Sequence, residues 1–329
     1  GQANTGVGHQ AGSSTTTASN NTAVGYNSLV LNTTGANNVA VGANALDANT
    51  TGGSNTAVGK GALGANTTGT ANFAGGTAAL ESNTTASNNT ALGYFALLSN
   101  TTGTQNTAVG SLALDANTTS NENTAVGYNA LTANTTGAYN TAVGADALKG
   151  VTTGSYNHGF GRDAGQSITT GSGNLCLGAN ANDAANTNFV VSVGNFSASA
   201  NTVDGTTAVG YYALRNNSTG AGNHAFGYYA LDQVTTASYC TAVGRGALYN
   251  ATGGDNTALG YNAGNAVSTG IRNTFLGGWA GDAVTTSDEN VAVGYIAASA
   301  LTTGDANTAV GMGALYSITT NGNCTAVGH

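Results

Sequence analysis

An apolar pair followed by glycine returns every 17 residues or so along this chain, and that period decides most of what it can fold into. The glycine falls at 8, 25, 42, 59, 76, 93, 110, 127, 144, 161, 178, 194, 210, 227, 244, 260, 277, 294, 311 and 328. Sixteen of the nineteen intervals are 17 residues and three are 16. A unit this short cannot bury an apolar face alone, so neighbouring copies must stack into a continuous core. The consensus reads N-T-A-V-G-x-x-A-L-x-x-N-T-T-G-x-x, nearly pure at residues 123–139, NTAVGYNALTANTTGAY. Its apolar runs are three or four residues long, interrupted by Gly and Thr, with no 3.6-residue period, which excludes helices. The expected fold is all-β, a parallel β-solenoid or β-roll of about twenty 17-residue coils. It should form a single continuous repeat domain over residues 1–329, with two or three short strands per coil, near the Val-Gly anchors and the Ala-Leu pairs.

Each column of the repeat has a physical reading. The anchor glycine never varies, so Gly25, Gly42, Gly59, Gly93, Gly110, Gly127 and Gly144 are expected at corners that need positive φ or leave no room for a Cβ. Two residues before the anchor, fifteen of twenty positions are Ala, and three after it all nineteen complete coils have Ala or Ser. These two small columns predict a thin interior. Asn opens sixteen of twenty coils, and stacked Asn side chains can hydrogen-bond along a ladder. Most coils carry Leu four residues after the anchor and Asn three further on. Where that Leu becomes Gly165, Gly264, Gly281 or Ala298, the later position becomes Ile168, Val267, Val284 or Leu301. Both columns are therefore expected to fill one layer, since an emptied core site is costly. The stretch 179–206 is irregular, with two 16-residue coils in succession, and is expected to bulge or to push out a corner.

Composition removes several function classes. The chain holds 20 charged residues, and its six basic ones with a net charge of -8 cannot supply the Lys/Arg stripe that nucleic acid requires. No apolar run approaches the roughly 20 residues of a membrane-spanning helix. Val, Thr and Ala at fixed spacing argue against disorder. Cys176, Cys240 and Cys324 have no metal-ligand spacing and read as buried small residues that form no disulfide within the chain. His158 and His224 replace the usual Thr four coils apart, and the acidic residues are scattered without a calcium-binding nonapeptide. Catalysis needs unlike groups converging at one point, whereas a solenoid spreads its polar residues along ladders. No catalytic, metal or cofactor site is expected. The chain begins without Met or a signal peptide, which fits a chain that is either processed or an excerpt of a longer fibre.

The motif Asn-Thr-Ala-Val-Gly followed by x-x-Ala, as at residues 106–110 and 307–311, resembles the head repeats of trimeric autotransporter adhesins. It is similar as well to repeats of phage-type tail fibres. The resemblance spans the whole chain and implies a left-handed roll, three chains side by side, and an extracellular, cell-surface or virion location serving attachment. The family's head coil is shorter, and the Asn-Thr-Thr segment here lengthens a corner or adds a strand. The implied function is a structural fibre or adhesin module without catalysis. Competing readings are a self-assembling filament subunit and an ice-binding solenoid. Against ice binding, Thr33 and Thr34 and their copies are adjacent, whereas an ice face wants two Thr on one side of a strand.

Two surface features bear on partners. Tyr follows the anchor in seven coils, at Tyr26, Tyr94, Tyr128, Tyr211, Tyr228, Tyr261 and Tyr295, where it can contact a host surface or stack on a glycan receptor. The sequons at Asn32, Asn49, Asn66, Asn83, Asn100, Asn117 and Asn134 would make a glycan row if exposed and glycosylated. Strand parity raises self-association, as a homotrimer or a filament. Ala125 precedes Val126 and Ala130 precedes Leu131, so if Ala lines the interior, either an apolar column lies outside or the chain bends at the Ala-Leu pair.

Overall fold

A computed structural model describes residues 2–184 and 186–329. It divides into two compact units, Gly1–Ser172 and Gly173–His329. The first carries ten three-residue strands, β1 (Thr5–Val7) to β10 (His158–Phe160), and the second ten more, β11 (Leu175–Leu177) to β20 (Thr325–Val327). Within each unit every strand pairs in parallel and in register with its neighbours a coil away: Ala108 lies against Ala91 and Ala125, and Val109 against Leu92 and Val126. The fold is the all-β parallel solenoid that the period predicts, with no helix among the described residues.

The strand is the Thr-Ala-Val triplet ahead of each anchor. Its β-branched outer residues suit a half-covered pleat, and side chains alternate across it. The middle Ala is fully buried, as at Ala91, Ala108, Ala125 and Ala142. The glycine then ends the strand for two reasons. Its φ lies between +126° and +148° in every coil. A Cβ on Gly127 would also sit 2.6 Å from the carbonyl carbon of Gly144 in the next coil.

Each coil has one strand rather than the two or three expected. The Ala-Leu pair lies in a turn whose second and fourth residues after the anchor are both left-handed, as at Asn129 (φ +55°) and Leu131 (φ +53°). An extended chain would put Ala130 and Leu131 on opposite faces, but in this turn both are fully buried. Left-handed backbone costs Leu about 1–2 kcal/mol, and full burial of its side chain contributes about 1.5–3 kcal/mol, so the exchange favours the turn. It also gives the Leu-to-Gly replacements a second cause. Gly165, Gly264 and Gly281 hold φ between +57° and +63° without that strain, while Ile168, Val267 and Val284 fill the core with no exposure. Phe275 takes an inward Ala position in the strand Thr274–Leu276, and its ring occupies the space vacated at Gly264 and Gly281.

Asparagine builds the other half of the interior. Asn38, which opens its coil, and Asn49, eleven residues later, both donate their side-chain amides to the carbonyl of Gly52, at 2.9 and 3.0 Å. Those two bonds clamp the coil across its own core. Between coils, Asn49 Nδ2 donates to Asn32 Oδ1 at 2.9 Å, and Asn66 Nδ2 to Asn49 Oδ1 at 2.8 Å. Asn38 Oδ1 accepts the backbone N–H of Asn55 at 2.9 Å. The Asn-Thr-Thr segment is therefore not a wet corner throughout: its Asn is fully buried, and only its second Thr is exposed. The sequon asparagines from Asn32 to Asn134 carry no accessible amide for a glycan in the folded chain.

The irregular stretch keeps its strands, Leu175–Leu177, Val191–Val193 and Thr207–Val209, in register. What changes there is the core. Asn182, Thr187, Ser192, Ser197, Asn201 and Thr206 are all fully buried and bonded among themselves, with Ser192 Oγ 2.6 Å from Ser197 Oγ and Asn182 Nδ2 donating to Thr187 Oγ1 at 2.9 Å. Position 185, inside this stretch, lies outside the described residues.

Candidate functional site

The outward residues of the strands make the first candidate surface. Thr and Val flank each buried Ala, so Thr107 and Val109, Thr124 and Val126, and Thr141 and Val143 face away from the core. The Val column is half exposed, reaching 43% at Val58, 48% at Leu92 and 52% at Leu259. Neither outward column contains Lys, Arg, Asp or Glu. Both branches of the parity argument hold: the chain bends at the Ala-Leu pair, and an apolar column still lies outside.

The corner glycines Gly25, Gly42, Gly59, Gly93, Gly110, Gly127 and Gly144 stand at φ +136° to +148°. The tyrosines that follow anchors are all exposed: Tyr26, Tyr94 and Tyr128 in the first unit, and Tyr211, Tyr228, Tyr261 and Tyr295 in the second. In the first unit Tyr26 stacks on His9 at 5.2 Å and Tyr94 on Phe95 at 3.8 Å. The second unit assembles a ladder. Tyr211 stacks on Tyr228 at 5.5 Å, and Arg245 continues the column with its guanidinium 5.5 Å from the Tyr228 ring and 5.4 Å from Tyr261. A second aromatic column, Phe196, Tyr212 and Tyr229, runs beside it, with Tyr212 and Tyr229 at 5.3 Å. Arg215 lies over Tyr212 at 4.2 Å and pairs with the fully buried Asp232 carboxylate at 2.9 Å. Burial pushes the Asp232 carboxyl up, opposed by its hydrogen bond from Gln233 and by Arg215. The Tyr229 phenol is pushed up to about 12, first by its hydrogen bond with Tyr228 and then by burial.

This second column, two residues after the anchor, escaped the sequence reading, although a signal was present. Its many Asn, Asp and Gly residues mark a left-handed position. Where it is glycine, the surface opens. Three surface concavities of about 730, 390 and 260 Å³ contain Gly61, Gly246 and Gly313, each at φ between +65° and +68°.

The remaining chemistry is sparse. Among the described residues no group of three or more His, Cys, Asp or Glu could hold a metal ion, and no helix is long and apolar enough to cross a membrane. All three cysteines are free thiols. Cys176 is buried in an inward strand position, and burial pushes its thiol up to about 12. Cys240 replaces an opening Asn, donates its backbone N–H to the Asn223 carboxamide oxygen at 2.9 Å as the opening Asn does elsewhere, and its thiol is pushed up to about 11, again by burial. Since the thiolate is the reactive form, a disulfide reagent near pH 8 should titrate Cys324 alone in the native chain. All three thiols should react in denaturant, and two fast native thiols would contradict this picture. Compared with known proteins, the chain matches no family model, no curated relative and no solved structure.

Proposed function

We propose that this chain is a structural attachment-fibre module, working outside the cell or on a virion, whose copies pack side by side as a trimer. The observation that carries the reading is the uncharged outward Thr/Val face of the strands. Strands about 4.8 Å apart and three residues wide give each unit roughly 450 Å² of this surface. That matches the largest apolar patch of a typical monomer, which is often functional. A face without charge is complementary to a copy of itself and offers nothing to a charged partner. The resemblance to trimeric adhesin heads and tail-fibre repeats favours three copies over two.

The test is a count of chains in solution. Sedimentation velocity and native mass measurement should give a closed trimer. The combined change Val109→Lys, Val126→Lys and Val143→Lys touches only outward side chains, and it should yield monomers with an unchanged circular dichroism spectrum. A wild-type monomer would overturn the proposal. Mass that keeps growing with concentration would replace the trimer by a filament. The Thr column also suggests an ice face, but Phe73, His158, Leu175 and His224 interrupt it. Thermal hysteresis by the monomeric wild-type chain would favour that reading instead.

A further inference from the structure

We infer that the notch over Gly246 is a binding site for an acidic saccharide. Its volume, about 390 Å³, falls within the roughly 300–1,000 Å³ of small-ligand sites. Tyr229, Tyr249 and Tyr261 give it aromatic walls, Arg245 a cation, and Asn262 and Asn265 carboxamides. A sugar ring calls for this mixture: aromatic faces stack on its C–H faces, and carboxamides both donate to and accept from its hydroxyls.

The charge of the ligand follows from Arg245. It is one of only six basic residues in a chain of net charge -8, and no carboxylate lines the notch with it. The exposed guanidinium lies over the rings of Tyr228 and Tyr261, 5.5 and 5.4 Å from their centroids, and donates from Nη1 to Tyr261 Oη at 3.0 Å. Its remaining N–H groups form the planar fork that a carboxylate fills with two parallel bonds. Because the group is already oriented, little freedom is lost on binding. The floor is fixed too, since Asn265 Nδ2 donates to the Gly246 carbonyl at 3.1 Å. The Asn262 carboxamide makes no hydrogen bond within the chain among the described residues, and its oxygen leans over Gly246 where a Cβ would stand.

The notch exists because of one residue. Tyr212 and Tyr229 occupy the same column at φ +57° and +59°, and Gly246 sits at φ +65°. A tyrosine at 246 would thus repeat a conformation the column already holds and fill the space, displacing the end of the Asn262 side chain and pressing on Asn265 Nδ2, 3.3 Å from the new Cβ. The site is built within one chain and uses no strand residue, so it is independent of whether the Thr/Val face self-associates.

The experiment pairs two acidic probes with neutral counterparts, tetragalacturonate with its methyl ester and sialyllactose with lactose, followed by calorimetry and ligand-observed NMR. At least one acidic probe should bind, and its neutral counterpart at least about tenfold more weakly. Arg245→Gln should lose about tenfold or more while Gly246→Tyr abolishes binding. Gly61→Tyr, which fills the equivalent notch in the first unit, should leave binding unchanged. The idea is overturned if acid and neutral forms bind equally or if Arg245→Gln binds as well as the wild type. Binding retained by a folded Gly246→Tyr chain overturns it too, as does the absence of binding by both acidic probes at about 10 mM. Arg245→Gln keeps the test decisive if Gly246→Tyr fails to fold.

Discussion

Replacing Gly127 by Ala is expected to cost about 3–5 kcal/mol. Two separate penalties meet at this atom. The backbone stands at φ +138°, a region essentially reserved for glycine, which strains an L residue by about 1–3 kcal/mol. The new Cβ would also lie 2.6 Å from the carbonyl carbon of Gly144 and 3.1 Å from the N of Ala145. These are backbone atoms of the next coil, held by the ladder, and they have no side-chain torsion through which to move. Relief must come from separating the two coils, which breaks strand pairing at Val126 and Val143. In a repeat protein the damage stays near the substituted unit, because each coil contacts only its neighbours. Urea unfolding should therefore show the loss, and hydrogen exchange should place it at the Thr124–Val126 and Thr141–Val143 strands. Tyr128→Ala, next along the chain but exposed, should change stability by no more than about 0.5 kcal/mol. A Gly127→Ala chain within about 1 kcal/mol of the wild type would show that the anchor is a preference rather than a requirement.

The parts of this fold that could be read from the sequence are those fixed by exclusion. A column that admits only glycine, and another that admits almost only alanine, report that no space exists there, so coil length, stacking and the inward Ala column followed directly. The parity of Ala125 and Val126 likewise foretold an exposed apolar column. What stayed hidden was conformation that several residue types can share. The left-handed position two after the anchor holds Asn27, Gly61, Phe95, Tyr229 and Trp279 at φ +54° to +68°, and such variety reads as an ordinary exposed position. Leu131 in left-handed backbone contradicts local preference, and only its burial explains it. Burial of the Asn-Thr-Thr asparagines was concealed by chemistry, since a carboxamide satisfied on every side looks in sequence like one that faces water. The Tyr229–Tyr261 notch was missed because its walls come from different columns of separate coils and Arg245 interrupts the tyrosine series.

One substitution made at two rungs of the same ladder should give opposite results. Asn83→Val is expected to cost about 2–4 kcal/mol. In the wild type Asn83 Nδ2 donates to Asn66 Oδ1 at 2.9 Å, and Asn83 Oδ1 accepts from Asn100 Nδ2 at 3.0 Å. Valine leaves a buried acceptor and a buried donor each short of a partner, at about 1–3 kcal/mol apiece. The Ala86 carbonyl is spared because Asn72 Nδ2 still reaches it at 2.8 Å. At the end of the run the arithmetic reverses. Asn134 donates to Asn117 Oδ1 at 3.1 Å, but the next rung is Val151, which has nothing to donate, and Asn134 Oδ1 is buried without a hydrogen-bond partner. Asn134→Val removes that orphan. Asn117 Oδ1 keeps the Ser120 hydroxyl, and the Gly137 carbonyl keeps Asn123 Nδ2 at 2.9 Å. The column already accepts aliphatic groups of this kind one and two rungs on, at Val151 and Ile168, both fully buried. Stability should thus stay within about 1 kcal/mol of the wild type or rise. Chemical denaturation of the two variants side by side reads the difference directly. Equal losses at both rungs would mean that the ladder is held by side-chain volume, and that the direction of its hydrogen bonds is immaterial.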